Sequence, residues 1–147
     1  MAIPSKMTDP HDLGRFLDAQ AGSYETAVNE IRRGMKRGHW MWFIFPQLAG
    51  LGRSATAQHF AICSLNEARS YLSHPVLGTR LRECVALLQD LDGLTAQTLF
   101  GEVDAIKLRS SLTLFIEVGA GPLFVAALER WFAGEKDTAT LALLNRY

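Results

Sequence analysis

Apolar residues recur at spacings of three and four along most of this sequence, and this periodicity constrains the fold more than any other feature. Strict alternation of apolar and polar residues, which is typical of half-buried strands, is rare. Helix-capping signals precede several periodic stretches, at Thr8-Asp9-Pro10, Ser64-Leu65-Asn66-Glu67 and Asp137. The sequence therefore predicts an all-α fold, a single compact multi-helical domain over residues 1–147 with about seven to nine helices.

The second predicted helix carries a cluster of cations. Its apolar face consists of Tyr24, Ala27, Val28, Ile31 and Met35. The pattern predicts that this helix runs to Gly38, with Arg32, Arg33, Lys36 and Arg37 in its last turns. Cations stabilise the negative end of a helix dipole, and this is the simplest explanation of the cluster.

The later helices follow from their apolar faces and from their end signals. Ser64 caps a helix that runs to His74-Pro75, and the next helix ends at Asp92-Gly93. Leu108 to Ile116 mark another apolar face. Pro122 begins a helix that Gly134 ends, and Asp137 caps a short final helix.

The segment from Gly38 to Ser54 fits neither the helix nor the strand pattern well. It is aromatic enough for a buried strand, but a lone strand leaves its backbone groups without hydrogen bonds. A short buried helix that ends at Pro46 is the favoured interpretation. The glycines at positions 50 and 52 then predict a tight loop, which leads into a helix that carries Phe60 and Ile62.

The composition excludes several classes of protein. The 15 Lys and Arg residues balance 15 Asp and Glu residues, which argues against a protein that coats nucleic acid, because such binding needs an excess of cations. The two cysteines, Cys63 and Cys84, lie in apolar helical patterns and are interpreted as reduced core thiols, so structural zinc is not expected. The longest apolar run is too short to cross a bilayer. A soluble cytoplasmic protein without a metal or cofactor is the expectation.

Two stretches hold polar residues that helix packing does not require. In the first, His39 and Gln47 border the aromatic run from Trp40 to Phe45, so each needs a polar partner or a cavity. Trp40 and Trp42 are large enough to stack on a planar ligand. The simpler interpretation is that the aromatic residues belong to the core and that the two polar groups are hydrogen-bonded there.

In the second stretch, Asp104, Lys107 and Ser111 share one helix face, and Ser110 lies beside them. A lysine next to hydroxyls is suited to hold a phosphate or carboxylate, with Asp104 positioning the ammonium. The alternative is a surface ion pair beside two serines without a function. A serine nucleophile would need a desolvated lysine and an oxyanion hole, and no glycine that could form one follows Ser110.

Motifs along nearly the whole chain resemble a known family. They include His39-Trp40-Met41-Trp42-Phe43-Ile44-Phe45-Pro46-Gln47, Gly50-Leu51-Gly52-x-Ser54, Tyr71-Leu72-x-His74-Pro75, Phe100-Gly101, Asp104, Lys107, Ser110-Ser111 and Thr113-Leu114-Phe115. The sequence resembles the small bacterial and fungal proteins grouped as the domain-of-unknown-function family numbered 1810. The resemblance implies an all-α domain and no settled activity. The label calpastatin, sometimes attached to that family, does not suit this compact apolar composition, because calpastatin is a long disordered chain.

The resemblance also draws attention to a set of polar positions and so favours a pocket over a plain core. These positions are Gln20, Glu30, Lys36, His39, Gln47, Ser54, His74, Arg80, Asp104, Lys107, Ser110, Ser111 and Thr113. The first hypothesis is a pocket between the His39–Gln47 segment and the Asp104–Thr113 helix, which binds a small anionic, nucleotide-like ligand. The candidate ligand-binding residues are Gln20, Lys36, Trp40, Trp42, Gln47, Arg80, Lys107, Ser110, Ser111 and Thr113.

Catalysis is left open in this hypothesis. If the ligand is hydrolysed or transferred, Glu30 or His39 is the candidate general base, and Asp104 orients it without a metal. A second hypothesis is a non-catalytic interaction module that uses the basic patch from Arg32 to Arg37. A third is a satisfied polar network that specifies the fold and binds nothing.

Overall fold

The structure, a computed structural model, describes residues 9–145, and within them it contains ten helices and no strand. The helices are α1 (Gly14–Ala21), α2 (Tyr24–Arg33), α3 (Met41–Ile44), α4 (Ala55–His59), α5 (Leu65–Ser73), α6 (Leu77–Gln89), α7 (Ala96–Phe100), α8 (Glu102–Glu117), α9 (Pro122–Phe132) and α10 (Thr138–Leu144). The predicted all-α class is confirmed. The number of helices exceeds the prediction because the sequence did not indicate α7, whose cap is the local pair Thr95 and Thr98.

Helix α8 occupies the centre of the fold. It packs against α3, α5, α7, α9 and α10, and α6 packs against α2, α5 and α9. Nearly every residue of α8 from Ser110 to Phe115 is buried, because neighbouring helices cover this helix on several sides. The stretch from Ser110 to Phe115 therefore has no solvent-exposed face, and its polar side chains must find partners inside the protein.

Helix α2 ends four residues earlier than predicted. Gly34 adopts the left-handed conformation with φ of 76°, and its amide donates to the carbonyl of Ile31 at 3.0 Å. Glycine reaches this conformation without the steric penalty that a side chain brings, so Gly34 and not Gly38 ends the helix. As a consequence, Met35 is 51% exposed, and Lys36 and Arg37 lie in a loop and not in the last turn.

The caps predicted at Ser64 and Asp137 are confirmed, but the first helix does not begin at Pro10 as the Thr8-Asp9-Pro10 signal predicts. Helix α1 begins at Gly14, and Asp9 contacts its start from a preceding turn. The Asp9 carboxylate accepts from the amides of Leu13 and Gly14 at 2.7 Å each, while Thr8 lies outside the described residues. Ser64 accepts from the amide of Glu67 at 3.1 Å. The second half of that capping box is absent, because the buried carboxylate of Glu67 is paired with Arg15 at 2.7 Å.

The aromatic segment forms the short buried helix α3, as predicted, and its continuation is held by backbone hydrogen bonds. Gln47 and Ala49 bond to Ile62 at 2.8 Å through an isolated parallel bridge between Leu48 and Ile62. Phe60 and Ile62 therefore lie beyond the end of α4, which corrects the prediction that this helix carries them.

The two cysteines differ. Cys63 is exposed in the loop before α5, so the prediction of a core thiol is wrong there. Cys84 is buried on α6, and burial raises the pKa of its thiol to about 12. Across residues 9–145, no helix is long and apolar enough to cross a membrane.

Candidate functional site

The structure distributes most of the predicted site residues over three groups of contacts. The first group contains Glu30, Lys36, Trp40, Trp42, Asp104 and Lys107. The second contains Gln20 and Arg80, and the third contains Ser110 and Thr113. The sequence predicts one shared pocket for these residues.

In the first group, the carboxylate of Asp104 lies between two lysines. We call Lys36, Asp104 and Lys107 the lysine cluster. The Nζ atom of Lys36 is 2.6 Å from Asp104 Oδ2, and that of Lys107 is 3.3 Å from Asp104 Oδ1. Each ammonium also faces an indole ring, because Lys36 lies 5.0 Å from the centroid of Trp40 and Lys107 lies 4.8 Å from that of Trp42. The aromatic segment and α8 therefore meet, as predicted.

The two lysines differ in burial. The side chain of Lys36 is 6% exposed, and its ammonium also donates to the carbonyl of Gly38. The side chain of Lys107 is 21% exposed, and its longer ion pair with Asp104 is its only recorded polar contact among the described residues. Lys36 is thus fixed inside the fold, whereas Lys107 lies at the edge of the cluster.

Glu30 holds the loop that follows α2. Its Oε1 atom accepts from the amides of Arg37 at 2.7 Å and Gly38 at 2.8 Å, and from the indole of Trp40 at 2.9 Å. Partial burial raises the pKa of Glu30, but these hydrogen bonds outweigh burial and hold the pKa below its usual value. A carboxylate with three donors and a lowered pKa is a poor general base, so the contacts of Glu30 indicate a structural role.

A small cavity lies beside the aromatic segment. Trp42 and Gln47 line a cavity of about 10 Å³ together with Gly52, Ala57 and Phe60. A space of this size holds about one water molecule. No residue of α8 lines this small cavity. The pocket predicted between the aromatic segment and α8 therefore stays a prediction.

The third group joins α8 to the last helix. The Asp137 carboxylate accepts from Ser110 Oγ at 3.1 Å and from the amide and hydroxyl of Thr140 at 3.0 and 2.5 Å. Thr113 Oγ1 accepts from the amide of Asp137 at 2.9 Å. Ser110 and Thr113 thus dock α10 on α8 and are not free for a ligand.

Ser111 is directed differently from Ser110. Its hydroxyl is buried and has no hydrogen-bond partner among residues 9–145. Ser111 follows Lys107 by one helical turn, so the two residues share a face of α8. The two serine hydroxyls that were predicted to hold one anion therefore have different surroundings, since Ser110 is bonded to Ile106 and Asp137.

The second group lies beside a cavity that is open to solvent. The side-chain amide of Gln20 donates to the carbonyl of Phe43 at 2.7 Å and to the hydroxyl of Tyr71 at 3.2 Å. Its oxygen accepts from Arg80 Nη1 at 3.2 Å. The Arg80 guanidinium also lies 4.7 Å from the ring centroid of Tyr24. These contacts fix the arginine in one position.

The space next to Arg80 has a volume of about 250 Å³, and we call it the Arg80 cavity. Its lining residues include Gln20, Gly22, Tyr24, Glu25, Thr26 and Arg80. Arg80 has no ion pair with any residue of the described range. Two predicted ligand-binding residues, Gln20 and Arg80, therefore share a ligand-sized cavity, although Lys107 is not part of it.

A second cavity adjoins the first. It has a volume of about 330 Å³ and is lined by Tyr24, Glu25, Val28, Asn29, Glu83 and Leu87, among others; we call it the Glu83 cavity. The hydroxyl of Tyr24 donates to the Glu83 carboxylate, and burial together with this bond raises the pKa of the tyrosine. The sequence placed Tyr24 on an apolar face and gave no role to Glu83. The helical spacing of Arg80 and Glu83 is the sequence signal that could have indicated a role for Glu83.

Comparison with known proteins shows the family and the fold of the chain. A family model described as "Protein of unknown function (DUF1810)" matches residues 10–144. The chain belongs to this family. Its fold is also similar to the crystal structure of the conserved hypothetical protein Rv1873 from Mycobacterium tuberculosis, with 49% identity and a TM-score of 0.91 over 93% of this chain and 99% of that one. No curated protein matches the chain.

The remaining predicted residues of this DUF1810 domain lie at the surface or at helix ends. His39 is exposed and makes no recorded side-chain hydrogen bond within residues 9–145. Ser54 caps α4, and His74 Nδ1 accepts from the amides of Val76 and Leu77 at 3.1 Å at the start of α6.

The basic patch predicted for Arg32 to Arg37 lacks one of its four cations in the structure. Arg32, Arg33 and Arg37 are exposed, but Lys36 turns inward to Asp104. In the described part of the DUF1810 domain, no group of three His, Cys, Asp or Glu side chains is arranged to hold a metal ion.

Proposed function

We propose that this protein binds a small anionic ligand in the Arg80 cavity through the guanidinium of Arg80. One observation carries the proposal: a guanidinium without a carboxylate partner in residues 9–145 lines an open cavity of about 250 Å³. Arginine is the side chain that best matches carboxylate and phosphate oxygens, because its planar fork donates two parallel hydrogen bonds.

The surroundings of Arg80 support this proposal. Within residues 9–145 the guanidinium makes one hydrogen bond, to Gln20, so most of its donors stay available. Gln20 is 1% exposed and is itself held by Phe43 and Tyr71. The ring of Tyr24 supports the guanidinium from the other side. The arginine is therefore already ordered before a ligand arrives, which reduces the entropy lost on binding.

The lysine cluster supports ligand binding less well. Both lysines share the carboxylate of Asp104, so a ligand would compete with an existing ion pair for each ammonium. The proposal concerns binding alone. Neither candidate base, Glu30 or His39, lines the Arg80 cavity.

The experiment is a titration of the labelled protein followed by two-dimensional NMR. The probes are acetate, inorganic phosphate and a nucleoside monophosphate, each added at constant ionic strength. We expect at least one probe to cause saturable shifts in the side-chain amide of Gln20 and in the backbone of α2.

Two variants and one control make the test specific. Arg80→Gln is expected to weaken binding about tenfold or more, since a paired charge is worth at least 1.4 kcal/mol. Arg80→Lys is expected to recover part of the affinity. Arg69→Gln removes an exposed arginine of α5 and is expected to change nothing. Absence of saturable shifts with all three probes, or equal affinity in Arg80→Gln, overturns the proposal.

A further inference from the structure

We propose that the ligand is an amino carboxylate that spans both cavities: its carboxylate binds Arg80, and its ammonium binds Glu83. This inference rests on the proposed anion site at Arg80 and names the class of ligand. It requires the two cavities to act as one site, the charges of Arg80 and Glu83 to be available, and the lining to favour a zwitterion.

The two cavities meet at Tyr24 and Glu25, which line both. Arg80 and Glu83 are three residues apart on α6, so their side chains share a face of that helix. One lines the first cavity, and the other lines the second. A molecule that lies along this face of α6, beside Tyr24, therefore contacts both charges.

Arg80 and Glu83 do not form an ion pair, although their spacing is the one at which such pairs form on helices. Tyr24 keeps them apart, because its ring lies under the guanidinium and its hydroxyl donates to the carboxylate. A single side chain thus orders an arginine and a glutamate without neutralising either. This arrangement leaves one positive and one negative group for a ligand with the opposite pair of charges.

The charges around the two cavities favour a zwitterion over a phosphate. The lining contains the cations Arg32 and Arg80 and the anions Glu25 and Glu83, so the formal charges cancel. Glu25 lines both cavities, so a phosphate that carries two charges faces a carboxylate wherever it lies. A molecule with one carboxylate and one ammonium instead meets a partner at each end.

The apolar part of the lining favours a ligand that has methylene groups between its two charges. Val28 and Leu87 contribute aliphatic surface to the Glu83 cavity, which suits a short methylene chain. In an α-amino acid a single carbon separates the two charged groups, whereas Arg80 and Glu83 lie one helical turn apart and both contact Tyr24. We therefore expect γ-aminobutyrate to bind more tightly than glycine.

The test is calorimetry and NMR with a matched series of γ-aminobutyrate, butyrate, butylamine, glycine and inorganic phosphate. The wild-type protein is expected to bind γ-aminobutyrate at least tenfold more tightly than butyrate. In Glu83→Gln the two ligands are expected to bind equally, because glutamine still accepts from Tyr24 but no longer attracts an ammonium. Tyr24→Phe keeps the ring and releases Glu83 toward Arg80, so it is expected to weaken both ligands severalfold.

The outcomes separate this inference from the proposed function. If butyrate shifts the Arg80 cavity resonances but the amine brings no advantage, the inference is overturned and the anion site stands. If phosphate binds more tightly than every amino carboxylate, the inference is likewise overturned and the anion site stands. If no carboxylate or phosphate binds, the anion site itself fails. Thermal unfolding of each variant checks that lost binding does not reflect lost structure.

Discussion

Replacement of Lys36 by methionine tests whether the lysine cluster stabilises the fold through one buried ion pair. The Lys36 side chain is 6% exposed, lies 2.6 Å from Asp104 and donates to Gly38. Methionine has a similar length and removes only the charge and its hydrogen bonds. The carboxylate of Asp104 then keeps only the longer contact with Lys107 at 3.3 Å.

The expected loss is large for Lys36 and small for Lys107. Removal of one partner from a buried ion pair costs about 3–5 kcal/mol. Asp104 is 20% exposed and keeps its contact with Lys107, so a loss near the lower end of this range is expected for Lys36→Met. Lys107→Met removes a pair that is 21% exposed on the lysine side and longer, so the expected loss is about 1 kcal/mol or less. Since about 1 kcal/mol corresponds to about 4 °C in a domain of this size, Lys36→Met is expected to lower Tm by roughly 10 °C or more.

Urea unfolding and thermal circular dichroism at neutral pH measure both losses, with Asp104→Asn and the double variant Lys36→Met/Asp104→Asn completing a cycle. The double variant is expected to lose less stability than the sum of the two single variants, because no uncompensated charge remains between them. Equal losses for the two lysines, or strict additivity in the cycle, would refute the assignment of the stabilising contact to Lys36.

Three further predictions concern single residues. Because the pKa of Glu30 is lowered in the folded state, its contribution to the free energy of unfolding is fully present above about pH 4.3 and is lost as pH falls through the folded-state pKa. Glu30→Gln should therefore be less stable than wild type at neutral pH. In urea titrations at acid pH, the difference in stability between the two proteins should become smaller. Asp137→Ala removes the cap of α10 and is expected to cost about 1–2 kcal/mol, with faster amide exchange confined to that helix. In Gly78→Ala, a Cβ atom would lie 1.9 Å from the carbonyl oxygen of Leu72, so we expect poor folding in expression and melting assays. A Cβ atom at Gly93 would have no neighbour within 4 Å, so Gly93→Ala should be destabilised only by the strain of its left-handed backbone.

Local signals in the sequence predicted most of the helices correctly, and they failed where the deciding contact was not local. Ser64 and Asp137 accept from amides three residues away, and such contacts are visible in the order of the residues. The end of α2 was predicted at Gly38 because the cations continued the pattern. Gly34 ends the helix instead, because the following loop turns toward α7 and α8. In that loop the backbone amide of Lys36 donates to the carbonyl of Leu99.

The candidate site shows the same division. The resemblance singled out Gln20, Arg80, Lys36 and Asp104, and each of them makes a specific polar contact. Their partners were not predictable, because Gln20 and Arg80 are 60 residues apart and no short-range pattern joins them. The prediction of one pocket placed these four residues together, whereas the packing of α2, α6 and α8 separates them.

The sequence by itself determined the all-α class, the identity of most helices and the set of polar residues that the core has to accommodate, because periodicity and capping depend on neighbours within one or two turns. Tertiary structure alone decided which polar groups satisfy each other and which stay available. Lys36 and Ser110 are engaged by Asp104 and Asp137, while Arg80 is ordered by Tyr24 and Gln20 beside an open cavity. The physical reason is that a buried charge or hydroxyl takes its partner from whichever helix packs against it, and that choice is made by the fold as a whole.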